Sequence, residues 1–423
     1  MNEIKVRSNA ADLKGTPVAD YVQISDYDEI VEVMRSRKFV QGSHYEARKT
    51  IMKDTLIVLE GKPHLRRRTI LNQILNDGAI GELRQMHLVP AVDRCIAEVK
   101  ALPPDADGVI ATDLAGIVQR CVYRVAAAIA GIEGIDEKAA ADRMIAQVKS
   151  ITAGFTVEWS KEPMHEVLAR ANSDQADFRK ELFDASQARR AALVEKFRKG
   201  EIAQSELPRD VLTYTLLHKG DAWPDDEDLR LREMCLFLSA GSQTTANGFL
   251  LFVLLLEDWL AKHPEDRALV LSDPNFLRRA VFESLRVAAT VPARLRTAAE
   301  DVTLASGRQI KAGEHVALLT IPANMKNEEL FGAEPDRFNP HRQVDDASPW
   351  GLTFGTGGHT CPGRPLVTGG RTMKAQADLD GSLVSMARGF YAAGMRLDRR
   401  AIPKQEAGTH YNNFASVPVT FSF

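Results

Sequence analysis

The run Phe354-Gly355-Thr356-Gly357-Gly358-His359-Thr360-Cys361-Pro362-Gly363 constrains this chain more than any other stretch. Its glycines allow tight turns and close approach of the backbone to another group. A cysteine thiolate at the end of such a loop can be held rigidly beside a flat cofactor. Peptide N–H groups of the loop can point at the sulfur, and Phe354 can cover it from water. The plain alternative is a glycine-rich surface loop that carries a chance cysteine.

Composition sets the frame for that loop. With 423 residues, 44% of them hydrophobic, the chain can build one large core or two closely fused lobes. A formal net charge of -3 argues against a nucleic-acid binder. The four cysteines, Cys95, Cys121, Cys235 and Cys361, have no close pairing. That spacing argues against a disulfide scaffold, a zinc knuckle or an iron–sulfur site. The start, Met1 to Val6, lacks a hydrophobic signal region. The apolar runs read as helices of a core rather than membrane spans. The expectation is a soluble cytoplasmic protein with no membrane association.

Three further stretches carry chemistry. After Pro63, the residues Leu65, Ile70, Ile74 and Leu75 suggest a helix on which His64 and Arg68 share one face. Two donors on one face suit a carboxylate-bearing cofactor; a solvated basic helix end is the alternative. The span 229–260 reads as a long apolar helix whose middle is Ala240-Gly241-Ser242-Gln243-Thr244-Thr245. A glycine and a threonine pair inside a buried helix cost stability, a conflict that marks either a ligand site where the helix opens or a simple packing contact. In Phe282-Glu283-Ser284-Leu285-Arg286, Glu283 and Arg286 are three apart and can pair on one helical face.

In this order, these motifs resemble those of the cytochrome P450 enzymes. The cysteine run meets every fixed position of the family's F-G-x-G-x-H/R-x-C-x-G loop. The resemblance implies haem b with Cys361 as its axial thiolate and sole protein ligand to the metal. It makes His359 a propionate partner and includes Phe354 and Gly355 in the cofactor loop. His64, Arg66 and Arg68 fall on H-x-R-x-R, whose histidine and last arginine bind a propionate; Arg296 falls on a further propionate-binding arginine. Ala240, Gly241, Gln243, Thr244 and Thr245 fall on A/G-G-x-D/E-T-T. Ala240 and Gly241 would floor the oxygen and substrate pocket, and Thr244 would hydrogen-bond dioxygen or its water. Gln243 departs from the pattern, since a neutral amide orients water but cannot ionise. Glu283 and Arg286 fall on E-x-x-R, and Arg337, in the P-D-R-F segment, would join their lock.

The same resemblance implies a mainly α fold with a smaller β-rich lobe, in a single domain over 1–423. The β-rich part is expected at about 1–60 and 291–320 with closing strands at 397–423, and the helical part at about 63–290 and 361–390. Val291, Pro292 and Ala293 would line a mostly apolar substrate pocket together with Ala240. Arg294 turns either to solvent or a propionate, or to an acidic substrate group. Gly369-Gly370 interrupts the helix that relatives continue after the cysteine, with helix resuming near 372–387. The implied reaction is monooxygenation of a small organic substrate by O2. No flavin or nicotinamide domain is visible, so electrons would come from a ferredoxin or flavodoxin with its reductase. Lys62, Arg66, Arg67 and Arg364 are candidates for a basic docking patch. The rival readings are a peroxide-driven peroxygenase or rearranging haem enzyme, and a non-catalytic haem sensor or ligand-binding protein.

Overall fold

A computed structural model describes residues 13–288, 290–291, 293–344, 348–370 and 380–423. The chain is mainly helical with a smaller β component. It divides into two compact units. One unit holds residues 1–43, 80–118 and 244–423, and the other residues 44–79 and 119–243.

The first unit carries the sheets. Its largest has four strands in the order Val22–Ile24, His315–Leu318, Arg294–Ala298, Phe39–Gln41. The first pair is parallel, with Val22 opposite Val316; the others are antiparallel, with Arg296 opposite both Val316 and Gln41. Ile24, Ile30, Val33, Phe39, Val316 and Leu318 pack into one buried cluster between this sheet and the helix Tyr27–Arg35. That helix begins where Asp26 accepts the Glu29 amide at 3.0 Å, a side-chain N-cap. A second sheet pairs Pro418–Phe421 with both Ile110–Asp113 and Arg396–Leu397. The Ile110–Asp113 strand is too short and too far from its partner to announce itself in sequence. The helix Val89–Lys100 meets Ser382–Ala392 at Gly389, where an added Cβ would come within 2.6 Å of Val92.

The second unit is helical. Its helices include Gly61–Leu71, Lys138–Phe155, Met164–Phe178, Asp184–Arg198 and Val211–Leu217. Lys138–Phe155 and Met164–Phe178 approach closely because Gly154 lacks a side chain: a Cβ there would lie 2.5 Å from that of Ala171. The stretch 220–226 buries Trp223 at 1% exposure.

The long helix Glu227–Lys262 runs without a break through Gly241 and the threonines. The expected opening of its backbone does not occur. Ser242 donates to the Leu238 carbonyl at 2.5 Å, one turn back, so the hydroxyl is absorbed by the helix itself. By length and composition this helix could cross a membrane, but 72% of its most apolar portion is buried in protein.

After Cys361, Arg364–Thr368 forms a short helix that ends at Gly369, whose φ of 73° an L side chain rarely adopts. The expected break is therefore present. The expected resumption at 372 lies outside the described residues up to 379, and helix is described over Ser382–Ala392.

Candidate functional site

The helix Pro274–Val287 sets the frame of the cysteine loop. Asp273 caps it by accepting the Asn275 amide at 2.8 Å. Three residues apart, Glu283 and Arg286 sit on its inner face at 3% and 0% exposure. Arg286 donates to both Glu283 oxygens at 2.8 Å, a two-pronged, charge-assisted pair. Its remaining donor reaches the carbonyls of Asn324 at 3.0 Å and Pro335 at 2.6 Å. Arg337 does not join this pair by its side chain. Its guanidinium lies in solvent on Glu334 at 2.9 Å, and only its backbone carbonyl faces Arg286. Arg342 takes the expected place, donating Nε to Glu283 at 2.9 Å. The chain turns just before this segment at Glu334, whose φ is 49°.

Asn324 carries the lock to the loop. Its Nδ2 donates to the Arg286 carbonyl at 3.0 Å, and its Oδ1 accepts the Leu352 amide at 2.9 Å. Thr353 adds a bond from Oγ1 to the Leu285 carbonyl at 2.6 Å. Trp350 stands edge-on between Phe282 and Phe354, with ring centroids 5.2 and 5.8 Å away. Past Phe354 the backbone turns at Gly355 (φ 68°) and Gly357 (φ 74°), and the Cys361 amide returns to the Phe354 carbonyl at 2.9 Å. Gly357 lies against the Met34 carbonyl, which a Cβ would approach to 2.5 Å. Arg35 reaches Thr356 Oγ1 at 3.2 Å, so the loop is docked on the helix Tyr27–Arg35.

Cys361 is partly exposed, whereas Cys95, Cys121 and Cys235 are buried. Burial pushes the Cys235 thiol up to about 12, so it stays protonated at neutral pH. Gly363 flanks the Cys361 sulfur, 3.9 Å from where its Cβ would be. His359 is partly buried in the same loop. In the sheet, Arg296 is 6% exposed and donates Nη1 to Gln41 and, at 2.8 Å, to the Leu295 carbonyl. Ala293 is buried and Val291 partly so; Pro292 lies outside the described residues.

In the helical unit, His64 is 3% exposed and Arg68 half-buried on the helix Gly61–Leu71, with Arg68 Nε donating to Asn72 at 3.3 Å. Arg67 cannot serve a docking patch. It is buried, bonded to Glu233 at 2.9 Å and to the Asp54 and Ala222 carbonyls, with Trp223 also donating to Glu233 at 3.1 Å. Arg66 is committed to Asp221. On the long helix, Ala240 and Gly241 are exposed among buried neighbours, and a Cβ at Gly241 would meet only Ala126, at 3.9 Å. Gln243 accepts a hydrogen bond from the buried Tyr123 hydroxyl at 3.0 Å. Tyr123 had no sequence signal beyond a lone hydroxyl in an apolar helix.

The cytochrome P450 family model matches residues 18–368, most of the chain. The chain belongs to the cytochrome P450 family. It is 34% identical over 140 residues to cytochrome P450 CYP107DY1 of Priestia megaterium, 33% of this chain and 32% of that one. It is 40% identical over 163 residues to the vitamin D(3) 25-hydroxylase of Pseudonocardia autotrophica, 38% of each chain. The aligned stretches thus span about a third of the length of these curated relatives. The fold is also that of solved P450 structures. CalO2 superposes with a TM-score of 0.70 at 19% identity, over 97% of this chain and 94% of that one. CYP109E1 from Bacillus megaterium, in complex with corticosterone, gives 0.69 at 17%, over 98% and 97%.

P450 membership implies a haem–thiolate, and the residues fit one. Cys361 is a partly exposed cysteine at the end of a braced glycine loop. Beside the loop, the buried Nε of Arg294 has no hydrogen-bond partner among the described residues, as suits a cation awaiting an anion.

Proposed function

We propose that this P450 is a monooxygenase that places one oxygen atom from O2 into a mostly apolar small organic substrate. The observation that carries the reading is the braced loop around Cys361, tied by Asn324 to the Glu283–Arg286–Arg342 lock. Bound haem b would supply dioxygen activation, and thiolate donation favours O–O cleavage. Cys361 Sγ would ligate its iron. His64, Arg68, Arg296 and His359 would hold the propionates, while Phe354 and Gly355 would shape the cofactor loop. Ala240 and Gly241 leave space for oxygen and substrate; Val291, Pro292 and Ala293 form the apolar wall. Thr244 Oγ1 passes a proton toward dioxygen, and the Gln243 amide holds water. Glu283 and Arg286 keep the loop in place.

The whole chain, 1–423, then works as one cytoplasmic domain without membrane or nucleic acid. It draws electrons from a separate ferredoxin or flavodoxin system. Its substrate lies among apolar organic compounds, and the relatives' names do not narrow that class further.

One observation favours a second reading, peroxide-driven oxygenation. Gln243 and its partner Tyr123 are both neutral, so no carboxylate stands at this position to relay protons. Product formed with peroxide alone, faster than with reductant and O2, would decide for it.

The test of the main reading is spectroscopic. Reduced protein with carbon monoxide should show the strongly red-shifted band of thiolate-ligated haem. Cys361→Ser should lose that band and the monooxygenase activity. An unchanged spectrum in the variant would remove the ligand assignment.

A further inference from the structure

Arg294 opens the strand Arg294–Ala298 and turns its side chain inward over the cysteine loop. Its Nη2 donates to the Thr353 carbonyl. Its Nε lies where a Cβ on Gly355 would come within 3.3 Å. That Nε is buried and has no hydrogen-bond partner among the described residues. A guanidinium cannot relieve this by losing its proton, so its N–H needs an acceptor. Burial lowers the pKa of Arg294, with Cys361 and Tyr411 close enough to oppose that shift.

A second unused donor lies next to Tyr411. Asn412 is 6% exposed; its Oδ1 accepts from Gln405 at 2.8 Å, while its Nδ2 is buried without a partner. The turn that carries both residues joins Lys404–Gln405 to Phe414–Ser416. It is pinned where the Phe414 amide donates to Asn247 of the long helix at 3.1 Å. Arg294 and Asn412 thus each offer a buried N–H without an acceptor among the described residues, and Ala293, next to Arg294 in the chain, is buried and apolar. The planar guanidinium fork suits a carboxylate in particular.

We propose that Arg294 is a carboxylate-binding residue, assisted by Asn412. The inference rests on the P450 reading above and adds to it a chemical class of ligand. Two carboxylates come into question, that of an otherwise apolar acidic substrate and that of a haem propionate. Both present the same acceptor, and the experiment separates them.

Decanoate and decan-1-ol are titrated calorimetrically into the holoenzyme, as wild type, Arg294→Gln and Arg294→Lys. Haem loss to excess apomyoglobin is followed in the same three proteins. Wild type alone should prefer decanoate when the carboxylate is the substrate's. A hydrogen bond to a charged group is worth enough that Arg294→Gln should weaken its carboxylate by roughly 10–100-fold. If decanoate weakens while decan-1-ol and haem loss do not change, the carboxylate is the substrate's. If haem loss accelerates by that factor and decanoate does not change, it is a propionate. Arg294→Lys, which keeps the charge but not the fork, should recover part of the loss in either case. Equal behaviour of Arg294→Gln and wild type in both assays overturns the proposal. So does a wild type that binds decanoate no better than decan-1-ol while haem loss is also unchanged. Absence of the red-shifted carbon monoxide band in wild type would defeat the P450 reading instead, and the decanoate titration does not depend on that band.

Discussion

The hydroxyl of Tyr123 donates to Oε1 of Gln243 at 3.0 Å, joining two helices of the helical unit one residue before Thr244. The bond uses the acceptor end of the amide. Proton delivery through this position therefore cannot rely on ionisation of Gln243 itself.

Thr244→Ala should raise peroxide leakage and lower product per electron. Gln243→Glu should keep or speed O2-driven turnover with a changed solvent isotope effect. General acid–base assistance is worth ~10²–10⁴-fold, so both effects are measurable. NADH consumed, peroxide formed and product formed, with a matched redox partner, give the coupling directly. Unchanged coupling in Thr244→Ala would remove its role. Gln243→Glu matching wild type in rate and isotope effect would leave the amide a structural group.

The lock distinguishes two arginines five positions apart. Arg342→Ala removes one of the two arginines on Glu283, which keeps Arg286, and should cost ~1.5–3 kcal/mol, as loss of a buried hydrogen bond to a charged group does. Arg337→Ala removes an exposed pair and should change stability by less than ~1 kcal/mol. Urea unfolding of both variants checks the order; a larger loss in Arg337→Ala would restore the sequence-based expectation.

Gly357→Ala should destabilise the loop. The left-handed backbone alone costs ~1–2 kcal/mol with a Cβ, and here that Cβ would also press on the Met34 carbonyl. Loss of haem on gel filtration, with the remainder of the fold intact by circular dichroism, is the expected result. A variant that retains haem as wild type does would show that the loop can shift away from the helix Tyr27–Arg35.

Glu233 gives a pH signature. Burial raises its carboxyl pKa, against the opposing pull of Arg67, the Leu56 amide and Trp223. With the folded value above the unfolded one, its contribution is complete below the ordinary carboxylate pKa. It declines as pH rises through the folded value. The stability gap between wild type and Glu233→Gln should therefore shrink from acidic to neutral pH. Unfolding midpoints of the two proteins across that range test the sign; a widening gap would contradict it.

What the sequence shows of this fold is what neighbouring residues can encode. The helix Leu114–Ala130 and the pairing of Glu283 with Arg286 depend on spacing within one element, and both are legible. The mainly helical class follows from the same periodicity. Arg67 is different. A basic residue in a basic helix reads as solvated, and only Glu233, 166 positions away, makes its burial tolerable. Trp223 sits among turn-forming residues and is drawn in by that same carboxylate. Arg342 takes the place expected of Arg337 from a position outside the family's motif. At the candidate site, the cysteine loop stands out in sequence, but the partners of Arg294 and Gln243 come from distant elements and do not.

The parallel pairing of Val22–Ile24 with His315–Leu318 has a consequence for how the protein is made. The first strand leaves the ribosome early, and its partner comes from the far part of the chain. At ~5–20 residues per second, the wait is roughly 15–60 s. Throughout that interval a short apolar edge, with its amides and carbonyls unpaired, is open to any other nascent chain. Slower growth at low temperature, or more holding chaperone, should raise the soluble yield more than any change made near the cysteine.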